Sequence, residues 1–164
     1  MKSSDSSPEF LIFLDFDGVL HPTKASDHEK FRPDAIQSVN RILDELEANI
    51  VLSTAWRMDF PIERFNAWFK NRIIDTTPVH ELDLRKENPR FHEIIDFLKT
   101  RHWLQIPWIA IDDKRIHFPV SSPAYITNAK TGMTDADADN IILIGQCMKF
   151  AQQSLIENGL QTRS

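Results

Sequence analysis

Short apolar runs alternate with longer amphipathic segments along most of this chain. Each apolar run has the length of a buried strand and ends in polar or acidic residues. The three strongest candidates are Phe10 to Asp15, Asn49 to Ser53 and Ile106 to Asp113. Two weaker strands are predicted within residues 73–78 and 122–128. The pattern therefore predicts a sheet whose strands are largely buried.

Four amphipathic segments between and after these strands predict helices, because apolar residues recur in them at helical spacing. Pro33 suits the first position of the first helix, and Asn158-Gly159 is a common stop signal for the last one. The predicted helices are Pro33 to Glu47, Met58 to Lys70, Pro89 to His102, and Thr134 to about Asn158. Strands that alternate with helices predict the α/β class with a mainly parallel sheet.

The first apolar run ends in two aspartates, Asp15 and Asp17, which are followed at once by Gly18. Two like charges a few ångströms apart repel each other, and burial penalises both charged forms. A cation such as Mg²⁺ would remove this penalty, because it prefers carboxylate and phosphate oxygens and waters as ligands. The alternative is a polar turn in which Gly18 supplies a positive φ. The carboxyl end of a strand is also where open α/β sheets bind ligands.

Two later strands end in a similar way. The strand that ends at Ser53 leads into the sequence Ser-Thr-Ala-Trp-Arg, which contains Thr54 and Arg57. The strand that starts at Ile106 ends in the acidic pair Asp112 and Asp113. Two adjacent aspartates are common by chance. At the end of a buried strand, downstream of the first two strand ends, they indicate a shared metal and phosphate site.

Composition limits the classes of function. The 164 residues have the size of one domain, which we place at residues 9–160 after a polar tail of residues 1–8. A net charge of −5 lacks the footprint of strong non-specific nucleic-acid binding. One cysteine excludes an internal disulfide framework. No signal peptide or membrane-length apolar run is visible in the sequence, so we expect a cytoplasmic protein.

The string Asp15-Phe16-Asp17-Gly18-Val19 resembles the first motif, DxDx(T/V), of the haloacid dehalogenase-like (HAD) hydrolases. The resemblance implies that Asp15 is the nucleophile that accepts the phosphoryl group. Asp17 would be the general acid and base, and its backbone carbonyl would bind Mg²⁺ together with the Asp15 carboxylate. Ser53 matches the hydroxyl group of the second motif, with Thr54 as the alternative.

The remaining HAD motifs are expected in the second half of the chain. Asp112 and Asp113 match the acidic pair that completes the Mg²⁺ shell. The third motif is a single cation near the start of a helix, and three residues compete for it: Arg85, Lys86 and Arg90. The string Arg-Phe-His-Glu-Ile that begins at Arg90 resembles a helix opening of the small capless branch of the superfamily. We therefore prefer Arg90, with Lys86 second.

The string Ser-Thr-Ala-Trp-Arg also resembles this capless branch, which includes domains fused to RNA-repair enzymes. Arg57 is either a bidentate ligand for phosphate or an ordinary arginine at a helix start, paired with Asp59 or Glu63. We interpret Trp56 as a packing residue rather than a surface on which substrate stacks.

Three further features are interpreted as structural. His21 and His28 are taken to be surface histidines, because no second cluster supports a metal site with them. Cys147 is expected to be a small buried hydrophobic residue. The acidic run Asp135-Ala-Asp-Ala-Asp139 resembles a calcium loop but lacks the required glycine and final glutamate. The helix dipole accounts for these acids at the start of the last helix.

The resemblance implies a three-layer, Rossmann-like HAD fold with the Asp15 strand central in the sheet. The intervals that hold caps in other members are filled here by a loop and by the helices that the core needs. We therefore expect no separate cap domain and an open site. Cations that could line its mouth are Arg57, Arg85, Lys86, Arg90 and Lys114.

The function that the resemblance implies is Mg²⁺-dependent hydrolysis of a phosphomonoester through an aspartyl-phosphate on Asp15. An open site favours a large substrate, such as a nucleic-acid end or a phosphoprotein. In this role Gly18, Thr54, Arg57 and Lys86 would contact substrate. The alternative is a HAD-fold binding or regulatory module with little turnover, such as a subunit of a larger repair or toxin system.

Overall fold

Five strands form one sheet in the computed structural model of this chain, which describes residues 6–22, 31–80 and 87–161. They are β1 (Phe10–Leu14), β2 (Ala48–Leu52), β3 (Ile73–Thr76), β4 (Trp108–Asp112) and β5 (Ala124–Ile126). Their order across the sheet is β3-β2-β1-β4-β5, and every pairing is parallel. The five predicted strands are therefore confirmed, and the strand before Asp15 is central as expected.

The central strand β1 is buried on both faces. Phe10, Ile12 and Leu14 belong to the core on one side of the sheet, and Leu11 and Phe13 belong to the core on the other side. This alternation is the two-residue period of a strand. It explains why the sequence of β1 is an unbroken apolar run, since neither face meets water.

Helices cover both faces of the sheet. They are α1 (Pro33–Leu46), α2 (Glu63–Asn66), α3 (Pro89–Thr100) and α4 (Asp135–Gln161). α1 and α4 pack together over one face, so closely that a Cβ atom at Gly145 would lie 2.4 Å from Leu46 Cδ1. Ile94, Phe97 and Leu98 of α3 cover the opposite face. The predicted three-layer α/β architecture is confirmed.

The predicted helix over residues 58–70 is wrong in its extent. The segment contains a 3₁₀ turn (Ala55–Met58), the short helix α2 and a second 3₁₀ turn (Ala67–Phe69). Pro61 has no N–H group for a helical hydrogen bond, which interrupts a continuous helix. The aromatic side chains of the segment surround the buried Phe65 instead of lying along one helical stripe.

The predicted start of α4 is confirmed, whereas its end is not. The N–H of Thr134 donates to Asp137 Oδ2 over 2.7 Å, and the N–H of Asp137 donates to Thr134 Oγ1 over 3.2 Å. These two bonds form the reciprocal cap that the sequence indicates, with aspartate in place of the usual glutamate. The helix then continues to Gln161, past the stop signal at Asn158-Gly159.

The outer face of α4 is apolar and exposed. Leu143, Cys147 and Phe150 lie three or four residues apart, so they share one side of the helix, and all three are exposed. The prediction that Cys147 is buried is therefore wrong, because this face of α4 does not pack against α1. None of the helices in the described part of the chain combines the length and the apolar character that a membrane span needs.

Candidate active site

Three carboxylates meet at the carboxyl ends of β1 and β4, the two strands at the centre of the sheet. Asp15 follows β1, Asp112 is the last residue of β4, and Asp113 comes next. One ligand atom from each of them lies within 4.8 Å of the other two. Asp15 is 6% exposed and Asp112 only 1% exposed. We call Asp15, Asp112 and Asp113 the carboxylate cluster.

The protein itself does not neutralise this cluster fully. Burial, followed by the negative charge of Asp112, raises the pKa of Asp15 from 3.8 to about 7. The positive charge of Arg90 and the N–H of Phe16, which lies 2.7 Å from Asp15 Oδ1, act in the opposite direction. Three crowded carboxylate oxygens of this kind fit a hard divalent cation such as Mg²⁺, which would lower the cost of ionising Asp15.

Local contacts fix the orientation of Asp112. Its Oδ1 accepts a hydrogen bond of 2.7 Å from the N–H of Lys114, and its Oδ2 lies 3.1 Å from Nδ1 of His117. His117 was missed by the sequence analysis. A histidine five residues after an acidic strand end is the only signal that could have pointed to it. Such contacts hold a metal-binding carboxylate in one orientation.

Gly18 makes room for the cluster. Its φ is +73°, and a Cβ atom at this position would lie 2.3 Å from Asp113 Oδ2. Its carbonyl oxygen accepts a hydrogen bond of 2.8 Å from Thr127 Oγ1, which lies just after β5. Gly18 was predicted to contact substrate. The structure gives it a steric role beside Asp113, and contact with substrate stays a prediction.

The side chain of Asp17 points to a different group of residues. Both of its carboxylate oxygens accept from Nε1 of Trp56, each over 3.2 Å, and Oδ1 lies 3.0 Å from Nε2 of His21. The carboxylate remains 40% exposed. This exposure leaves it accessible to a reactant, as a general acid and base requires.

The prediction that His21 is a surface histidine is wrong. Its side chain is 1% exposed, and its ring stacks on Phe31 with the centroids 5.9 Å apart. Nδ1 lies 2.8 Å from the carbonyl oxygen of Pro22. A carbonyl can only accept, so Nδ1 carries the hydrogen of this bond. His28, interpreted in the same way, lies outside the described residues.

Two hydroxyl groups follow β2 beside the cluster. Thr54 is fully buried, its side chain acts to lower the pKa of Asp15, and it accepts from the N–H of Trp56 over 3.4 Å. Ser53 is 3% exposed, and its Oγ has no hydrogen-bond partner among the described residues. A buried hydroxyl without a partner is costly unless a ligand supplies one. This difference favours Ser53 over Thr54 as a contact for a phosphoryl group, which stays a prediction.

Arg57 is buried and held by the protein. Its side chain is 2% exposed, and its nitrogens donate to the carbonyl oxygens of Thr54, Thr77 and Pro78 and to Glu93 Oε2. The predicted pairing with Asp59 or Glu63 is wrong, since its acidic partner is Glu93, 2.9 Å away. Four donor contacts of Arg57 are thus made within the protein, and its contact with a substrate phosphate stays a prediction.

Arg90 shares Glu93 with Arg57 but is more accessible. Nη1 of Arg90 lies 3.1 Å from Glu93 Oε2, and the side chain is 16% exposed. Its charge favours the ionised form of Asp15, which is the action expected of the third-motif cation. We call the two arginines, Arg57 and Arg90, together with the Glu93 that both of them contact, the arginine pair. The competing cations Arg85 and Lys86 lie outside the described residues.

Glu93 was not singled out from the sequence, although it is the glutamate of the Arg-Phe-His-Glu-Ile string. It is 4% exposed and accepts from both arginines. Three residues after Arg90 on a helix places it on the same face. That spacing was the available signal, but the contact with Arg57 depends on the fold.

Residues 11–138 match the model of a family described as the HAD domain in Swiss Army Knife RNA repair proteins. The match runs from β1 into the first turn of α4, and so includes every element that contributes to the site. A comparison with curated proteins finds no significant match.

Proposed function

We propose that this chain, which belongs to the family of HAD domains in Swiss Army Knife RNA repair proteins, is a Mg²⁺-dependent phosphomonoester hydrolase. The observation that carries the proposal is the separation of two kinds of carboxylate at the end of β1. Asp15 belongs to a buried cluster of metal-ligand size. Asp17, two residues later, is half-exposed and held apart from that cluster.

Asp15, Asp112 and Asp113 would hold the metal ion, together with the backbone carbonyl of Asp17 that the family resemblance assigns to it. When bound, Mg²⁺ would neutralise the carboxylates and the phosphoryl oxygens, so that an anionic nucleophile can approach an anionic substrate. The chain supplies two further aids. Arg90 adds positive charge beside Asp15, and Ser53 Oγ can donate to a phosphoryl oxygen.

The first half of the reaction is a transfer of the phosphoryl group to Asp15. A carboxylate oxygen of Asp15 forms a bond to phosphorus while the bond between phosphorus and the leaving oxygen breaks. Asp17 gives its proton to the leaving oxygen, which departs as an alcohol. Asp15 then carries the phosphoryl group and Asp17 is ionised.

The second half restores the enzyme. Asp17 removes a proton from a water molecule whose oxygen attacks phosphorus, and the bond between phosphorus and Asp15 breaks. Inorganic phosphate leaves, Asp15 is again a carboxylate and Asp17 is again protonated. One side chain thus serves as acid and then as base, which is why its accessibility matters.

For the substrate, we favour the phosphorylated end of a nucleic acid over a phosphoprotein. The family description names RNA repair proteins, and the exposure of Asp17 leaves room for a large leaving group. The net charge of −5 argues against tight non-specific binding. Recognition would therefore concentrate on the terminal phosphate itself and on the few cations around it.

The test measures phosphate release from four substrates, with Mg²⁺ and with a chelator. They are 4-nitrophenyl phosphate, oligoribonucleotides phosphorylated at the 3′ or at the 5′ end, and a phosphoserine peptide. We expect Mg²⁺-dependent release, fastest from one of the oligonucleotides. Asp15→Asn should reduce turnover by about 10⁴-fold or more. Asp44→Asn, a surface change beside Lys70, is the matched control and should retain activity.

Each other outcome has a clear meaning. Equal activity of Asp15→Asn and the wild type would exclude Asp15 as nucleophile. Fastest release from the peptide would replace the nucleic-acid end by a phosphoprotein as substrate. No release from any substrate by a protein that binds Mg²⁺ would favour the alternative, a HAD-fold binding module.

A further inference from the structure

Trp56 contacts the proposed acid and base directly. Its Nε1 lies 3.2 Å from each carboxylate oxygen of Asp17, although the two residues are 39 positions apart in the chain. One N–H group shared between two oxygens fixes the rotation of the carboxylate group as well as its position. The contact joins the turn after β2 to the loop after β1.

The indole ring itself is held firmly. Four phenylalanine rings surround it with centroid distances between 5.3 and 6.2 Å: Phe16, Phe31, Phe60 and Phe65. The backbone N–H of Trp56 donates to Thr54 Oγ1, and the Thr54 side chain also acts on Asp15, whose pKa it helps to lower. The same turn therefore touches both aspartates of the proposed reaction.

Packing alone does not account for this arrangement. A carboxylate that is 40% exposed can be solvated by water and needs no protein donor to satisfy it. A surface aspartate also samples several rotamers, and fixing it costs conformational entropy. Trp56 contacts both oxygens of this carboxylate and so restrains its rotation, and such restraint is useful where the direction of a proton transfer matters.

We propose that Trp56 is a positioning residue that holds the Asp17 carboxylate in the orientation needed for both proton transfers. The role rests on the proposed phosphohydrolase function. It suits an acid that later becomes a base, because protonated and ionised carboxyl groups both keep an oxygen that accepts from the indole N–H. Nε2 of His21 lies 3.0 Å from Oδ1 of Asp17 and further confines this carboxylate.

The first test compares Trp56→Phe with Trp68→Phe on two substrates. Nitrophenolate is a good leaving group that needs little protonation, whereas the ribose hydroxyl of a phosphorylated oligonucleotide needs a proton from Asp17. Trp56→Phe should lower kcat/KM for the oligonucleotide by about 100-fold, and by less than about 5-fold for 4-nitrophenyl phosphate. KM should change little.

Trp68 is the matched control. It packs on Phe31 and Phe65 in the same aromatic group, so its loss perturbs the packing of that group. Trp68→Phe should affect both substrates equally. Equal losses for the two substrates in Trp56→Phe would overturn the positioning role and leave Trp56 a packing residue. No activity in the wild type would instead remove the proposed function and this role together.

A second test needs no turnover and no metal. The chain has four tryptophans, so a ¹⁵N-labelled sample gives four indole N–H signals, each assigned by a Trp→Phe variant. Asp17→Asn should shift the Trp56 signal and leave the signals of Trp68, Trp103 and Trp108 in place. An unmoved Trp56 signal would show that the contact does not exist in solution and would overturn the proposal even if Trp56→Phe were to unfold.

Discussion

The carboxylate cluster, to which Asp15 belongs, and the arginine pair treat buried charge in opposite ways. The arginine pair contains its own counter-charge, since Glu93 accepts from both guanidinium groups, and backbone carbonyls take the remaining donors of Arg57. The carboxylate cluster contains three acids, and burial together with the negative charge of Asp112 raises the pKa of Asp15 to about 7.

The difference distinguishes a structural group from a binding group. In the arginine pair the charge of Glu93 favours the ionised form of Arg57, although burial and the charge of Arg90 together lower the pKa of Arg57. The carboxylate cluster becomes favourable only when a cation joins it. Arg90 connects the two groups, because it contacts Glu93 and also acts on Asp15.

The largest effect is expected when the arginine pair loses its acid. Glu93→Ala would leave two buried like charges facing each other, which should lower the free energy of unfolding by about 3–5 kcal/mol. Urea denaturation measures this loss. Glu93→Gln is the control, because it keeps an acceptor for both arginines and should lose less. A loss below about 1 kcal/mol in Glu93→Ala would mean that the pair is not an electrostatic unit.

Binding of Mg²⁺ to the carboxylate cluster should stabilise the folded protein by a similar amount. At about 100 times its Kd, a ligand specific to the folded state adds about 2.7 kcal/mol to the free energy of unfolding. Asp113→Asn removes one carboxylate of the cluster and should reduce this gain by about 1.4 kcal/mol, a tenfold weaker Kd. Asp96→Asn, at a half-exposed pair with His80, should keep the full gain. Equal stabilisation of both variants by Mg²⁺ would show that the metal binds outside the carboxylate cluster.

The pH dependence of stability should reveal the cost of ionising Asp15 in the absence of metal. Because the folded-state pKa of Asp15 is raised from 3.8 to about 7, its contribution to stability is complete below pH 4 and is lost as the pH rises through 7. Without metal, Asp15→Asn should therefore be more stable than the wild type at pH 8, by up to about 4 kcal/mol for a rise in pKa from 3.8 to about 7. At pH 4 the variant should be no more stable than the wild type. Thermal unfolding at both pH values with a chelator measures this. The same difference in stability between variant and wild type at both pH values would show that the pKa of Asp15 is not raised in solution.

The smallest effect on stability is expected at Arg90, which contacts Glu93 and also acts on Asp15. Arg90→Lys keeps a positive charge beside Glu93 and Asp15, and the side chain is partly accessible, so the free energy of unfolding should change by less than about 0.5 kcal/mol. Urea denaturation again measures it. A loss above 2 kcal/mol would mean that Arg90 is as firmly built into the fold as Arg57 and would weaken its assignment as the third-motif cation.

The fold could be predicted from the sequence where local patterns determine it. The strand β1 is apolar throughout because both of its faces are buried, and the cap of α4 uses residues only three positions apart. The segment from Ala55 to Phe69 could not be predicted in the same way. Its aromatic spacing is helical, but Pro61 and the packing around Phe65 divide it.

The site could be predicted as a set of strand ends but not as a set of contacts. Asp15, Ser53 and Asp112 follow directly from the ends of apolar runs. The contacts of Trp56 with Asp17, and of Arg57 with Glu93, join residues 39 and 36 positions apart. No local period encodes such pairs. His21 was taken for a surface residue because it lies in a polar segment without a period, whereas in the structure it is buried and its ring stacks on Phe31.

The close approach of Gly18 to Asp113 restricts which mutations either position can accept. Any other amino acid at position 18 brings a Cβ atom that would lie 2.3 Å from Asp113 Oδ2. In a saturation mutagenesis library, position 18 should therefore tolerate no replacement as long as position 113 carries aspartate. A smaller residue at position 113 would delete a carboxylate from the cluster and would still leave its own Cβ 2.6 Å from the new one, while the φ of +73° would strain any side chain at position 18. Mutational drift therefore has no neutral route through this pair.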